Sequence, residues 1–380
     1  MSPNVGVMSD NDFEIRPFRI QIPQAELDDL RERIGRARWP SEIDGQDWSR
    51  GVPVGYLKDL AAYWAEGYDW RVWEARLNAY PQFTTEIGGQ DIHFLHVRST
   101  RPDALPLILT HGWPGSVVEF LDLIEPLSED FHLVIPSIPG FGFSGPTREA
   151  GWTTTRIAAA WAELMRRLGY DRYGAQGGDF GGGIARALGL VAADNVVAVH
   201  VNGGTTYPST AEDDPTLTDR ERARVRRLQE FMNEAGGYIA IQSTRPQTLA
   251  YGLTDSPVGQ LAWIIDKIRD MTDLAKPLPH EAIDRDLLLT DVTIYWLTGT
   301  AGSSAALYYE DGQEWGEQKT SSVPTAVALF TIQDIALRRD EEKINNVVRW
   351  SDFDRGGHFA AMEAPDLLLG DLREFFGAYR

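Results

Sequence analysis

Between residues 83 and 201 short apolar runs alternate with amphipathic stripes. Runs 83–87 and 92–97 flank Gly88-Gly89 and predict two strands joined by a hairpin turn. Runs 107–110, 133–135 and 196–201 predict short buried strands, and 172–176 a further one. Between them, 117–127, 153–168 and 182–190 carry helical patterning. In 153–168 the threonines offer an N-cap, Ile157, Trp161, Leu164 and Leu168 share one face, and Gly169 supplies the stop. Strands and helices alternating in this way predict βαβ units and a mostly parallel sheet with helices on both faces. In such sheets ligands bind at the carboxyl ends of the strands.

The alternation is absent from the first eighty residues. Helical segments 24–38 and 54–77 there keep company with Trp39, Trp48, Trp64, Trp70 and Trp73, five of the twelve tryptophans. Side chains so large must be buried against something. Residues 1–80 are therefore expected to be a helical extension laid over the main domain, with an autonomous helical domain as the alternative. The alternation stops again after Asn202, where 205–234 reads as charged and mostly helical and 255–320 as helices with aromatics. It resumes with a strand at 325–330, a helix to 346, a strand at 347–353 and a last helix at 366–379. The expected organisation is a core in two halves, 81–203 and 323–380, interrupted by a helical cap at 204–322.

Composition narrows the function. The 36 Lys and Arg against 56 Asp and Glu leave a net charge of -20, with no basic run. That argues against nucleic acid or an anionic membrane as partner and favours a neutral small molecule. The absence of cysteine removes disulfides, thiolate nucleophiles and Cys-ligated zinc together. The opening residues lack the basic and apolar regions of a signal peptide, and no apolar run approaches the ~20 residues of a membrane span. A soluble cytoplasmic enzyme is expected.

The chemistry centres on Gly177-Gly178-Asp179-Phe180-Gly181. It has the form of a nucleophile elbow, G-x-S-x-G, with a carboxylate in the serine's place. Such a carboxylate attacks carbon and leaves an ester on the enzyme. The alternative is a Gly-rich turn carrying a solvated or capping Asp. Elbow triads run nucleophile, acid, histidine along the chain. Asp334 follows the strand at 325–330, and His358 stands in a Gly-flanked loop after the last strand. Asp334 could instead cap the helix that follows it, in which case Asp352 and Asp354 are the other acids near His358. His93, His96, His132 and His200 lie in or beside strands, where a structural role is favoured, and His280 reads as surface. His111-Gly112-Trp113-Pro114-Gly115 also follows a strand. The backbone N–H groups of Trp113 and Phe180 are placed to form an oxyanion hole, and Pro114 suggests a cis bond.

Five motifs taken in order, His111 to Gly115, Gly177 to Gly182, Ser256-Pro257-Val258-Gly259, Tyr295 to Thr300 and Arg355 to Ala361, resemble the α/β-hydrolase epoxide hydrolases of the microsomal type. The resemblance spans nearly the whole chain, including the tryptophan-rich start. It implies an α/β-hydrolase fold, no cofactor and no metal, Asp179 as nucleophile, His358 as base and an acid near 334 as its partner. It also implies two cap tyrosines that donate to the epoxide oxygen, which fall on Tyr238 and Tyr308 rather than Tyr309. A phenol stays protonated at neutral pH and can give its proton to an alkoxide. The implied product is a vicinal diol. Relatives serve detoxification or natural-product pathways such as enediyne antibiotics, and the sequence does not choose between these. Trp263, Trp296, Tyr238 and Tyr308 suggest a bulky or aryl-bearing epoxide. A homodimer is allowed but not demanded. Three features depart from the family pattern: no membrane anchor is seen, Phe180 stands where some relatives have Trp, and an extra residue before Asp334 unsettles its register. The rival readings are a haloalkane dehalogenase, which needs halide donors in place of the phenols, and an inactive binding protein of the same fold.

Overall fold

A computed structural model of the chain describes residues 14–45, 47–313, 319–331 and 335–380. One nine-stranded sheet runs through it, built from β1 (Arg16–Phe18), β2 (Gln82–Ile87), β3 (Gln90–Val97), β4 (Leu105–Thr110), β5 (Phe131–Pro136), β6 (Tyr173–Gly178), β7 (Val196–Asn202), β8 (Ser321–Phe330) and β9 (Asn345–Phe353). The spatial order is β1-β2-β3-β5-β4-β6-β7-β8-β9. From β5 to β9 neighbours pair in parallel, while β1, β2 and β3 form an antiparallel margin joined to β5. Every residue of β4 and β5 is buried, as crossover helices covering both faces of a parallel sheet require.

Register sets the working rim. Thr110 of β4 pairs with Gly177 of β6, Gly178 with Asn202 of β7, and Asn202 with Ala328 of β8. The carboxyl ends of four parallel strands thus meet, and the loops leaving them face one another. The helix Thr154–Arg167 starts from Thr153, whose side chain accepts from the Arg156 N–H, and buries Ile157, Trp161 and Leu164. Helices from Asp219 to Asp311 lie between β7 and β8 in the chain, over this rim. The first helices pack against them: Trp64 Nε1–H donates to Thr293 Oγ1 (2.8 Å) and the Tyr68 hydroxyl bonds Thr290 (2.9 Å). No helix among the described residues is long and apolar enough to cross a membrane.

The elements depart from the sequence expectation in three places. Arg16–Phe18 is a strand, too short to show alternation, held by pairing with β2. The helix expected at 54–77 is two, Val54–Glu66 and Trp70–Leu77; the second starts at Asp69, whose carboxylate accepts from the Arg71 N–H. Of 205–234 only Asp219–Glu234 is helical, opened by a capping box between Thr218 and Glu221. The segment before it is tied to the core instead: Glu341 accepts from the N–H groups of Thr205 (2.6 Å) and Thr206 (2.8 Å), and Asp340 accepts from the Ser209 hydroxyl (2.6 Å).

Candidate active site

Asp179 stands between the end of β6 and the helix Phe180–Val191 with φ 53° and ψ -130°. A side chain held there carries strain of about 1–3 kcal/mol. Neighbouring glycines let the bend close: a Cβ on Gly177 would collide with the Gly181 carbonyl, and one on Gly181 with the Thr110 carbonyl. Asp179 Oδ1 accepts from the Trp113 N–H at 2.9 Å. Burial pushes the Asp179 carboxyl up, but the hydrogen bond and charge of His358 and the N–H groups of Trp113 and Phe180 outweigh it. The group stays below its ordinary value and is ionised at neutral pH. The Trp113–Pro114 peptide bond is cis.

His358 lies in the loop after β9. Its backbone N–H donates to the Met271 carbonyl (3.0 Å). Glu363 pins the loop, accepting from the N–H groups of Phe359 (3.0 Å) and Asp273 (2.8 Å). His358 Nε2 comes within 3.5 Å of Asp179 Oδ2. Asp334 lies outside the described residues. Of the other acids, Asp352 is engaged by Arg224 and, at 3.3 Å, Arg220, and Asp354 is exposed.

Over this pair opens a cavity of about 600 Å³ whose wall includes Asp179, Phe180, His358, Tyr238 and Tyr308. The Tyr238 ring stacks on Trp113 (5.2 Å between centroids), and Tyr308 meets Phe180 edge-on (4.7 Å). The two tyrosine rings are 5.8 Å apart, and their hydroxyls face each other. Burial, and then the charge of Asp179 among other neighbours, raises both phenols well above their ordinary value, so both stay protonated. Tyr309 is exposed.

Two sequence expectations are corrected. Trp263 and Trp296 do not line this cavity: the Trp263 indole donates to Gln242 (2.8 Å), and Trp296 lies under the Arg33 guanidinium. Phe231 and Tyr207 line the cavity instead. His280 is half-buried, stacked on Tyr56 with its Nδ1 3.1 Å from the tyrosine hydroxyl.

Tyr295 and Thr300, which carry part of the resemblance, and Ser303 have a structural role beyond it. The Tyr295 hydroxyl donates to the Gly115 carbonyl (2.6 Å), the Ser303 hydroxyl to the Gly140 carbonyl (2.6 Å), and Thr300 Oγ1 accepts from the Gly142 N–H (3.1 Å). The inserted helices thereby fix the loops after β4 and β5. Polar residues in an apolar helical run were the available signal.

A parallel sheet with a strained acid between a strand and its helix, faced by a histidine loop from the same rim, defines an α/β-hydrolase fold. The family described as alpha/beta hydrolase fold matches residues 106–235, and that described as Epoxide hydrolase N terminus matches 15–120. A Stigmatella aurantiaca protein named as a candidate epoxide hydrolase is 43% identical, the alignment covering 96% of this chain and 86% of that protein. Epoxide hydrolase 1 of Sus scrofa is 33% identical over 96% of this chain and 89% of its own. The solved epoxide hydrolase of Aspergillus niger superposes with a TM-score of 0.87 at 35% identity, covering 97% of each chain. The juvenile hormone epoxide hydrolase of Bombyx mori gives 0.89 at 30% identity, over 97% of this chain and 96% of that one. The chain belongs to the epoxide hydrolase family.

Proposed function

We propose that the protein opens an epoxide to a vicinal diol through an ester on Asp179. The observation that carries this reading is that Asp179 faces the same cavity as His358, Tyr238 and Tyr308, with His358 and two N–H groups holding its carboxyl below the ordinary value. Asp179 attacks an epoxide carbon; the C–O bond breaks, and the departing oxygen takes a proton from the phenols. The helix that starts at Phe180 favours the ionised nucleophile by up to about 1 kcal/mol. Water then adds to the ester carbonyl, passing a proton to His358, while the Trp113 and Phe180 N–H groups hold the oxyanion. Collapse expels the diol oxygen, which recovers that proton from His358. The proton left on the Asp179 carboxyl replaces the one the phenols gave. Asp334 is proposed to orient His358.

The substrate class we infer is an uncharged epoxide with an apolar or aryl substituent, because the cavity presents Phe180, Phe231, Tyr207 and Tyr308 to it. The two phenols over the nucleophile favour epoxide opening over halide displacement. The resemblance supports a role in detoxification or in antibiotic biosynthesis. The test is one turnover of a styrene-type epoxide in heavy-oxygen water. The first diol formed carries no solvent oxygen if Asp179 attacks carbon, and carries it if water attacks directly.

A further inference from the structure

A second cavity shares Asp179, Asn202 and His358 with the first but has no tyrosine in its wall. Its volume is about 10 Å³, room for a single water. The rest of its wall is Gly112, Trp113, Gly178, Phe359 and Glu119.

Glu119 is out of place by composition. It sits in the 3-10 turn Val117–Phe120, whose other members are buried apolar residues. Its side chain folds back over Gly115, where a Cβ would collide with the carboxyl, and it faces the Gly112 N–H. Part of its surface remains open, and it lines the small chamber. Burial first, and then the charge of Asp291, push this carboxyl up to about 8. A buried carboxyl is costly unless it is hydrogen-bonded or paired; the Gly112 N–H supplies one bond to Glu119, and neither attack by Asp179 nor proton donation by the tyrosine pair calls on its charge.

We propose that Glu119 holds the hydrolytic water of the second half-reaction in this chamber, opposite His358. The inference rests on the ester mechanism proposed above. A water that adds to the Asp179 carbonyl carbon gives one proton to His358 and points a lone pair at carbon. Its second O–H needs an acceptor in an enclosed space, and the Glu119 carboxylate is placed to be one. Burial and the charge of Asp291 do most to keep Glu119 protonated, and the Asp179 charge adds a smaller push; alkylation removes that last contribution and moves the carboxyl toward the ionised acceptor.

The test compares Glu119→Gln, His358→Gln and the wild type by rapid mixing with a styrene-type epoxide and intact-protein mass measurement. In Glu119→Gln, ester formation stays within about 3-fold of wild type while ester hydrolysis slows about 10- to 100-fold, so the adduct accumulates. Retained alkylation also certifies the fold. Should Glu119→Gln fold poorly, Glu119→Ala with added formate serves: formate filling the vacated space restores hydrolysis. Hydrolysis at the wild-type rate in either variant, or equal slowing of both steps, overturns the role of Glu119 while an adduct in His358→Gln leaves the ester mechanism standing. No adduct even in His358→Gln overturns the ester mechanism, and the inference with it.

Discussion

Gly112→Ala tests whether the position of the Asp179 carboxylate, rather than its mere presence, sets the rate. A Cβ on Gly112 would lie 2.6 Å from Asp179 Oδ1 and nearer still to the Asp179 Cβ, where ordinary contact begins at 3.4 Å. The shortfall, roughly 0.8 Å at Oδ1 and about 1 Å at the Asp179 Cβ, must be taken up by movement. Asp179 has little freedom to yield, because its backbone is already strained and Oδ1 is held by the Trp113 N–H. The methyl group therefore displaces the nucleophile, the oxyanion donor at Trp113, or both. A misplacement of about 1 Å in a reacting group costs on the order of 100-fold in rate, or about 2.7 kcal/mol of barrier. Overpacking adds about 1–3 kcal/mol of lost stability. The assay is steady-state kinetics on a styrene-type epoxide with thermal unfolding alongside: kcat falls about 100-fold while KM moves by less than about 5-fold. The control is Gly370→Ala on the exposed face of the last helix, where a Cβ meets nothing within 4 Å. It keeps wild-type kcat and gains about 0.5–1 kcal/mol of stability. A folded Gly112→Ala enzyme with kcat near wild type would mean that the placement of the Asp179 carboxylate does not set the rate.

Tyr238→Phe and Tyr308→Phe each remove one donor to the departing oxygen and lower the single-turnover alkylation rate by up to about 10²–10³-fold; unchanged alkylation in both variants removes the phenols from the mechanism. Tyr295→Phe leaves the buried Gly115 carbonyl without its 2.6 Å partner, costing about 1–3 kcal/mol in denaturant unfolding, together with a fall in kcat as the Trp113 loop loosens; equal stability would mean the loop does not depend on that bond. Asp371, almost fully buried, bonds His200, Ser351 and Arg349 (2.6–2.9 Å). Burial would raise its carboxyl, but those partners hold it down at about 2. Because the folded value lies below the unfolded one, its stabilisation of roughly 2 kcal/mol is present above pH ~4 and is lost as pH falls toward ~2. Asp371→Asn should therefore unfold more easily at pH 7 yet lose less between pH 4 and 2; an acid limb identical to wild type contradicts this.

The strand and helix pattern from β2 to β7 was legible because each element buries a regular stripe: Leu105–Thr110 and Phe131–Pro136 are mostly apolar and buried throughout, and Thr153 and Gly169 bracket their helix by local chemistry. Asp179 stood out for a similar reason, since close backbone approach can be read from glycine spacing. What failed depends on distant partners. Arg16–Phe18 is a strand only because β2 lies beside it, and Thr205, Thr206 and Ser209 are tied to Glu341 and Asp340, more than a hundred residues later, although Pro208 and Pro215 did argue locally against a helix there. Gly67 and Asp69 did announce the break between the second and third helices, and reading 54–77 as one helix overlooked them. Cavity lining is harder still. Trp263 and Trp296 looked like pocket walls by residue type, but which face of a helix meets the core cannot be told from an aromatic that pattern leaves on either side. Glu119 shows the converse: an isolated acid among Val117, Val118 and Phe120 was visible in the sequence, yet only the return of its side chain over Gly115 gives it a place.

The central claim is that the Asp179 carboxyl is broken open and rebuilt with oxygen from water at every cycle. Multiple turnovers in heavy-oxygen water, followed by proteolysis and mass measurement of the peptide containing Asp179, test it directly. Heavy oxygen is expected in that carboxyl, accumulating with turnover and absent when substrate is withheld. Diol that forms at full rate while the Asp179 peptide keeps its natural mass would contradict it.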